Sequence, residues 1–118
     1  MSVNSRQKGK RGEREIVDLL KRFGFSARRG QQFRGTSDSP DVVHNMTGFF
    51  IEVKHRQALN LYDTIEKSDG EKPAGETSLI FHRKNQKPWL VTIHAEEFMR
   101  LMREIYHDGP QGDPEERR

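Results

Sequence analysis

Residues 40–54 read PDVVHNMTGFFIEVK, and the predicted fold is built around these residues. Residues 49–53 give the strongest strand signal in the chain, because aromatic and β-branched residues follow one another there. A shorter β-branched run occupies residues 41–44, and residues 45–48 between the two runs are typical of a turn. We therefore predict that the two runs pair as a β-hairpin.

Predicted elements on both sides of this hairpin complete the fold. Apolar residues at helical spacing, the last of them Phe23, predict a helix over 12–23 that ends at Gly24. The other predicted elements are a strand over 25–29, a helix over 58–68, a loop over 69–76, strands over 78–82 and 89–94 with Trp89, Leu90 and Val91 in the core, and a helix over 95–107 with an apolar face of Phe98, Leu101, Met102 and Ile105. The order α-β-β-β-α-β-β-α indicates an α/β domain with a mixed central β-sheet flanked by helices.

Length and composition place limits on what the chain can be. With 118 residues, of which 31% are hydrophobic and 33% charged, it forms one domain with a thin core, and we expect that domain over 1–108. Residues 1–10 are expected to be flexible, and the polar tail 109–118 disordered. The absence of cysteine excludes disulfides, thiolate zinc sites and a cysteine nucleophile. Because no apolar run spans a membrane and no signal peptide is visible, we expect a cytoplasmic protein without a membrane partner.

Positive charge is concentrated in the first third of the chain. Residues 1–34 hold ten Lys and Arg against three acidic residues, a net charge of +7, whereas the whole chain carries only +3. Nucleic acid is the commonest partner for such a field. The alternative is a solvated basic terminus without a specific partner, and charge alone does not separate the two interpretations.

The chemistry-bearing residues lie in the predicted hairpin. Glu52 and Lys54 are two residues apart on a strand and therefore point to one face, and the hairpin would bring Asp41 close to Glu52. Two close carboxylates repel each other, and a hard divalent cation such as Mg²⁺ offsets that repulsion. Lys54 is placed to orient an attacking water or to offset charge on a phosphorus atom, which suits the nicking of a phosphodiester backbone. The plainer alternative is a solvated strand face with a weak ion pair.

These residues carry a resemblance to a known family. Pro40-Asp41 followed by Glu52-Val53-Lys54 resembles the PD-(D/E)XK nuclease signature. The segment Lys8-Gly9 with Gly12-Glu13-Arg14-Glu15, followed by Gly24-Phe25 and Arg28, is similar to the archaeal-type Holliday junction resolvases (Hjc) and their phage-encoded relatives. The resemblance is continuous over 8–56, and the remaining layout is compatible to about residue 106.

The resemblance implies a restriction-endonuclease-like fold and a Mg²⁺-dependent endonuclease that resolves four-way DNA junctions, with Mn²⁺ as a substitute metal. It assigns metal binding to Asp41 and Glu52, with the Val53 carbonyl as a further ligand, and catalysis to Lys54. Glu13 completes the acidic cluster, directly or through a water. The residues expected to contact DNA are Lys8, Lys10, Arg11, Arg14, Arg28, Arg29, Gln31, Gln32, Arg34, Thr36, Ser37, His55 and Arg56. Thr36, Ser37 and Ser39 all compete for the family's loop serine.

The symmetry of the implied substrate indicates the assembly. A four-way junction has two-fold symmetry, so paired nicks call for a homodimer with one site in each subunit. Two alternatives remain open at this point. One is a nuclease of the same fold that acts on another DNA substrate, such as a restriction site, flap or mismatch. The other is a DNA-binding protein without catalysis. A phage-encoded member would act in the host cytoplasm.

Overall fold

Helix α1 packs against one side of the sheet and contributes three of the seven buried residues of the core cluster on that side. In this computed structural model, which describes residues 5–30 and 40–107, α1 spans Ser5–Arg22. It buries Ile16, Val17 and Leu20, whose spacing places them on one stripe. The helix begins seven residues earlier than predicted, so residues 5–10, which we expected to be flexible, are helical.

The end of α1 confirms one prediction and corrects another. Gly24 follows the helix with φ at +92°, a conformation that side chains with a Cβ rarely adopt, and it stops the helix as the sequence predicts. Phe23 was expected on the apolar face but is 73% exposed, because the helix has already ended at Arg22.

The predicted hairpin is wrong as a strand pairing. Strand β2 (Val42–His44) pairs antiparallel with β1 (Ala27–Arg29), and the two form a separate two-stranded sheet. Asn45, the residue after β2, bonds to Ser26 before β1 through both its backbone and its side chain. The Asn45 side chain accepts a hydrogen bond from the Ser26 N–H at 3.0 Å, which ties the turn to β1 instead of closing a hairpin.

A three-stranded mixed sheet forms the centre of the domain. Strand β3 (Phe49–His55) runs parallel to β4 (Thr77–Arg83), and β5 (Leu90–Thr92) is antiparallel to β4. Parallel neighbours require a crossover, and helix α2 (Leu61–Glu71) supplies it. The predicted element order and the mixed sheet flanked by helices are confirmed. Helix α2 runs on to Glu71, into the segment 69–76 that was predicted as a loop.

Helix α3 (Ala95–Ile105) is the least embedded element of the described chain. None of its residues is buried, and of its predicted apolar face Phe98 is 44% and Ile105 63% exposed, while Leu101 and Met102 are half-buried. Two of the three residues expected in the core before it are also at the surface. Leu90 is 58% and Val91 47% exposed, because β5 is an edge strand, whereas Trp89 packs against the core.

Alternation along β3 separates the core from the polar face. Ile51, Val53 and His55 are buried on the side that faces α1, so Glu52 and Lys54 point to the opposite side. None of the helices in the described part of the chain has the length and apolar character needed to cross a bilayer. The predicted tail 109–118 lies outside the described residues.

Candidate active site

Asp41 reaches β3 through its side chain. It lies immediately before β2, and its Oδ2 accepts a hydrogen bond from the backbone N–H of Val53 at 2.9 Å. Its own backbone oxygen accepts from the Gly30 N–H at 3.0 Å. Asp41 is thus held once through its side chain and once through its backbone, although β2 and β3 form no ladder.

Glu52 and Lys54 form the second half of the site. They lie on the same face of β3, as predicted, and Lys54 Nζ is 3.3 Å from Glu52 Oε2. Their side chains are only 22% and 17% exposed, for Lys54 and Glu52 respectively, so water screens this ion pair less than it would at an open surface. The pair lies close to Asp41: the charge of Asp41 acts on Glu52, and the charge of Lys54 acts on Asp41.

The electrostatics of the two carboxylates show how confined they are. Burial, and next the negative charge of Asp41, raise the pKa of Glu52 to about 7, against an ordinary value of 4.5. Burial also raises the pKa of Asp41, while the hydrogen bond from Val53 and the charge of Lys54 oppose the rise. The charge of Asp41 therefore makes ionisation of Glu52 unfavourable, whereas a side-chain hydrogen bond to Glu52 lowers the pKa of Asp41. A bound cation would relieve this cost.

Glu13 approaches the pair from α1. Its Oε1 is 3.0 Å from Nε of Arg29 on β1, in an ion pair whose carboxylate is 16% exposed. Burial raises the pKa of Glu13, Arg29 lowers it, and the charge of Asp41 raises it further, so the two acids are within electrostatic reach. The close approach of α1 to β3 at Gly12 makes this possible, since a Cβ there would lie 3.4 Å from Val53 Cγ1.

The donor chemistry fits a hard metal ion. Across residues 5–30 and 40–107, no three His, Asp or Glu side chains already converge on one point. The carboxylate oxygens of Asp41 and Glu52 are the donors that Mg²⁺ and similar ions prefer. A cation would also offset the negative charge of Asp41 that disfavours ionisation of Glu52. Glu13, held by Arg29, is the third carboxylate near them.

Comparison with known proteins places this chain in a family. The sequence matches the model of the family described as archaeal Holliday junction resolvase (Hjc) over residues 4–107, most of the chain. The chain belongs to the Hjc family. It is therefore a Holliday junction resolvase and an endonuclease, as the resemblance implied. Enzymes of the Hjc family are metal-dependent nucleases, in agreement with the donor set around Asp41.

A solved structure shares the fold of this Hjc family member. The Hjc of Archaeoglobus fulgidus, a Holliday junction resolvase from an archaeal hyperthermophile, superposes with a TM-score of 0.52. The two are 24% identical, and the match covers 71% of this chain and 75% of the other. At this identity the likeness concerns the fold, which confirms the predicted fold class. No curated protein matches the chain.

Gly30 and Pro40, the described residues on either side of 31–39, lie at the site. They are in contact, and a Cβ on Gly30 would lie 1.8 Å from the Pro40 oxygen. Both residues are therefore beside Asp41. Several predicted DNA contacts lie outside the described residues: Gln31, Gln32, Arg34, Thr36 and Ser37, together with the alternative Ser39.

The other predicted DNA contacts divide by exposure. Exposed cations are Lys10, Arg11, Arg14, Arg28 and Arg56, and Lys8 is half-buried. Arg29 is engaged by Glu13. The prediction for His55 is wrong: its side chain is 7% exposed and packs 6.1 Å from the Trp89 ring, because strand alternation turns it toward α1 and away from the Lys54 face.

Two acidic residues with roles around the site were not predicted from the sequence. The charge of Glu71, the last residue of α2, raises the pKa of both Asp41 and Glu52. No spacing rule would have found it, since it falls in a predicted loop. Glu15 Oε1 accepts from Arg83 Nη1 at 3.1 Å and from Trp89 Nε1 at 2.9 Å. Glu15 thereby joins α1 to the sheet.

Proposed function

We propose that this chain is a Mg²⁺-dependent endonuclease that resolves four-way DNA junctions by paired nicks, with Glu13, Asp41, Glu52 and Lys54 as its catalytic residues. The observation that carries the proposal is the confinement of Asp41 and Glu52 beside Lys54. The Val53 N–H holds Asp41 at 2.9 Å, and Lys54 Nζ lies 3.3 Å from Glu52. A structural surface has no need for two repelling, half-buried carboxylates.

In this proposal Asp41 and Glu52 hold the metal through their carboxylate oxygens, and the Val53 carbonyl is a further ligand. When bound, Mg²⁺ or its substitute Mn²⁺ polarises a phosphate oxygen and lowers the pKa of a bound water. Glu13 contributes through a water, because its carboxylate is already engaged by Arg29 at 3.0 Å. Arg29 keeps Glu13 oriented toward the site.

Lys54 has two tasks in the proposed reaction. Before DNA binds, its ammonium group neutralises Glu52 and keeps that carboxylate ordered. With a metal on Glu52, the ammonium group is free to turn toward the scissile phosphate. There it orients the attacking water and stabilises the negative charge that develops on the phosphoryl oxygens.

DNA binding is assigned to the basic first third of the chain and to Arg56. Exposed cations such as Arg14 and Arg28 lie on α1, which carries Glu13, and on β1, which pairs with the strand that follows Asp41. Phosphate contacts of this kind position a duplex without reading its sequence, which suits recognition of junction shape.

The active form is proposed to be a homodimer. Because the junction has two-fold symmetry, paired nicks require two sites related by the same symmetry. Several apolar side chains of α3 are exposed, among them Phe98, Met99 and Ile105. In this proposal a second copy of the chain covers them. Residues 108–118, which follow α3, contain no apolar side chain other than two prolines and so offer nothing to cover it.

The test is a cleavage assay with Mg²⁺ on a four-way junction, a linear duplex, a flap and a single strand of matched sequence, with Glu52→Gln as control. Paired nicking of the junction that disappears in the variant supports the proposal. Preferred cutting of another substrate would keep the nuclease and overturn the junction specificity. Tight junction binding without cutting in Mg²⁺ or Mn²⁺ would overturn catalysis.

A further inference from the structure

A groove at one end of the three-stranded sheet has no role in the chemistry proposed above. Its volume is about 380 Å³, and it opens between the segment after β3 and the turn that joins β4 to β5. Its floor is formed by Leu59, Leu61 and Leu90, and its rim by Arg56, Lys84 and Lys87. All three rim cations are exposed. The feature therefore combines an apolar floor with a positively charged edge.

The charge of this groove is one-sided. Among the described residues that line it, none is Asp or Glu, although acidic residues are as frequent as one in six or seven in the chain. Two of the rim cations, Lys84 and Lys87, belong to the half of the sequence whose net charge is negative. The groove is thus a basic site separate from the basic first third.

Hydrogen bonds hold the rim together. The backbone N–H of Arg56 donates to the Arg83 oxygen at 3.0 Å, and the Asn85 N–H donates to the Gln57 side chain. These bonds join the end of β3 to the β4–β5 turn. The cations on the two segments are therefore held on one edge of the sheet.

The groove begins where the catalytic strand ends. Arg56 follows Lys54 by two residues, roughly 7 Å along an extended chain. Lys54 lies beside His82 in the β3–β4 register, and Lys84 follows His82 by two residues. Both strands therefore carry a cation immediately beyond Lys54.

We propose that this groove binds the sugar–phosphate backbone of the DNA strand next to the cleaved phosphodiester; this rests on the proposed function. Phosphates would neutralise Arg56, Lys84 and Lys87, while deoxyribose would cover the leucine floor. A second protein copy would instead have to bury three cations, at a desolvation cost that no acidic lining residue offsets.

The test compares the double variant Lys84→Gln/Lys87→Gln with Lys67→Gln/Arg103→Gln, which removes the same charge from positions that line no part of the groove. Binding to a fluorescent four-way junction is measured by anisotropy in Ca²⁺ over a range of salt concentrations. For the groove variant we expect a Kd raised several-fold and a slope of log K against log salt reduced by about 2. The control variant should keep the wild-type slope.

Each alternative outcome is distinguishable. If the groove variant keeps the wild-type slope and Kd, the groove does not bind DNA, even when the wild type cuts junctions in Mg²⁺. If sedimentation shows the groove variant to be monomeric and the wild type dimeric, the groove belongs to the subunit interface and the proposal fails. If the wild type does not cut the junction, the proposed function is wrong. The effect of the groove variant on DNA binding can still be measured in that case.

Discussion

The carboxylate of Asp41 accepts a hydrogen bond from the backbone N–H of Val53 at 2.9 Å. Asp41 lies next to β2 and Val53 lies on β3, and these two strands do not pair. This one side-chain hydrogen bond joins the two segments, which a hairpin would join through a ladder of backbone hydrogen bonds. It places an acid from the edge of the two-stranded sheet beside Glu52 and Lys54 on the three-stranded sheet. The site therefore depends on how the two sheets meet at this point.

Replacing Glu52 with Gln should remove activity and yet stabilise the metal-free protein. Burial beside Asp41 raises the pKa of Glu52 to about 7, so the ionised carboxylate costs stability at pH 8. Relief of that cost is worth at most about 3 kcal/mol. Thermal unfolding in EDTA at pH 8 should show a Tm several degrees above the wild type. The exposed Glu66→Gln should leave the Tm unchanged; an equal rise there would contradict the explanation.

The same pKa predicts how stability and metal binding depend on pH. Because the folded pKa of Glu52 lies above its ordinary value of 4.5, the destabilisation is absent below about pH 4.5 and complete above about pH 7. Mg²⁺ needs the ionised form, so its apparent affinity should rise from pH 6 to pH 8 with release of a proton. Calorimetric titrations in buffers of different ionisation enthalpy measure that proton. Binding without proton release at pH 6.5 would show that Glu52 is not the titrating ligand.

Gly30→Ala should damage the site through the backbone. A Cβ at Gly30 would lie 1.8 Å from the Pro40 oxygen, so the segment that carries Asp41 must move. We expect a loss of at least tenfold in cleavage rate and a destabilisation of about 1–3 kcal/mol. Gly70→Ala on α2 is the matched control, since a Cβ there meets no atom within 4 Å. Wild-type cleavage by Gly30→Ala would mean that the contact does not position Asp41.

Ile105→Glu should separate the proposed dimer. Ile105 on α3 is 63% exposed, and a charge there could not be buried against a second copy without a large desolvation cost. Sedimentation velocity should show a monomer, and junction nicks should become unpaired. Tyr62→Glu, at an 81% exposed position on α2, should remain dimeric. A dimeric Ile105→Glu variant would place the interface away from this part of α3.

Local patterns account for what the sequence predicted correctly. Aromatic and β-branched residues indicated β3, the period of apolar residues indicated α1, and Gly24 marked its end. These signals act over a few residues and do not depend on the rest of the chain. Strand alternation likewise puts Glu52 and Lys54 on one face, whichever strands lie beside β3.

The predictions that were wrong or missing concern contacts between residues far apart in the sequence. The pairing of β2 with β1, and the Asn45–Ser26 hydrogen bond beside it, join residues that are up to 19 positions apart, which no local pattern shows. The burial of His55 and the approach of Glu71 depended on the packing of α1 and α2 on opposite faces of the sheet.

Local patterns are enough to give the residue types of the site, their order along the chain and the shared face of Glu52 and Lys54, because side chains alternate along any strand. Three relations appear only in the folded chain: Asp41 reaches Val53 without a ladder, Arg29 holds Glu13, and a basic groove adjoins Lys54. The cause is distance along the chain. Hydrogen bonds and charges act between neighbours in space, and the fold alone determines which distant residues become neighbours.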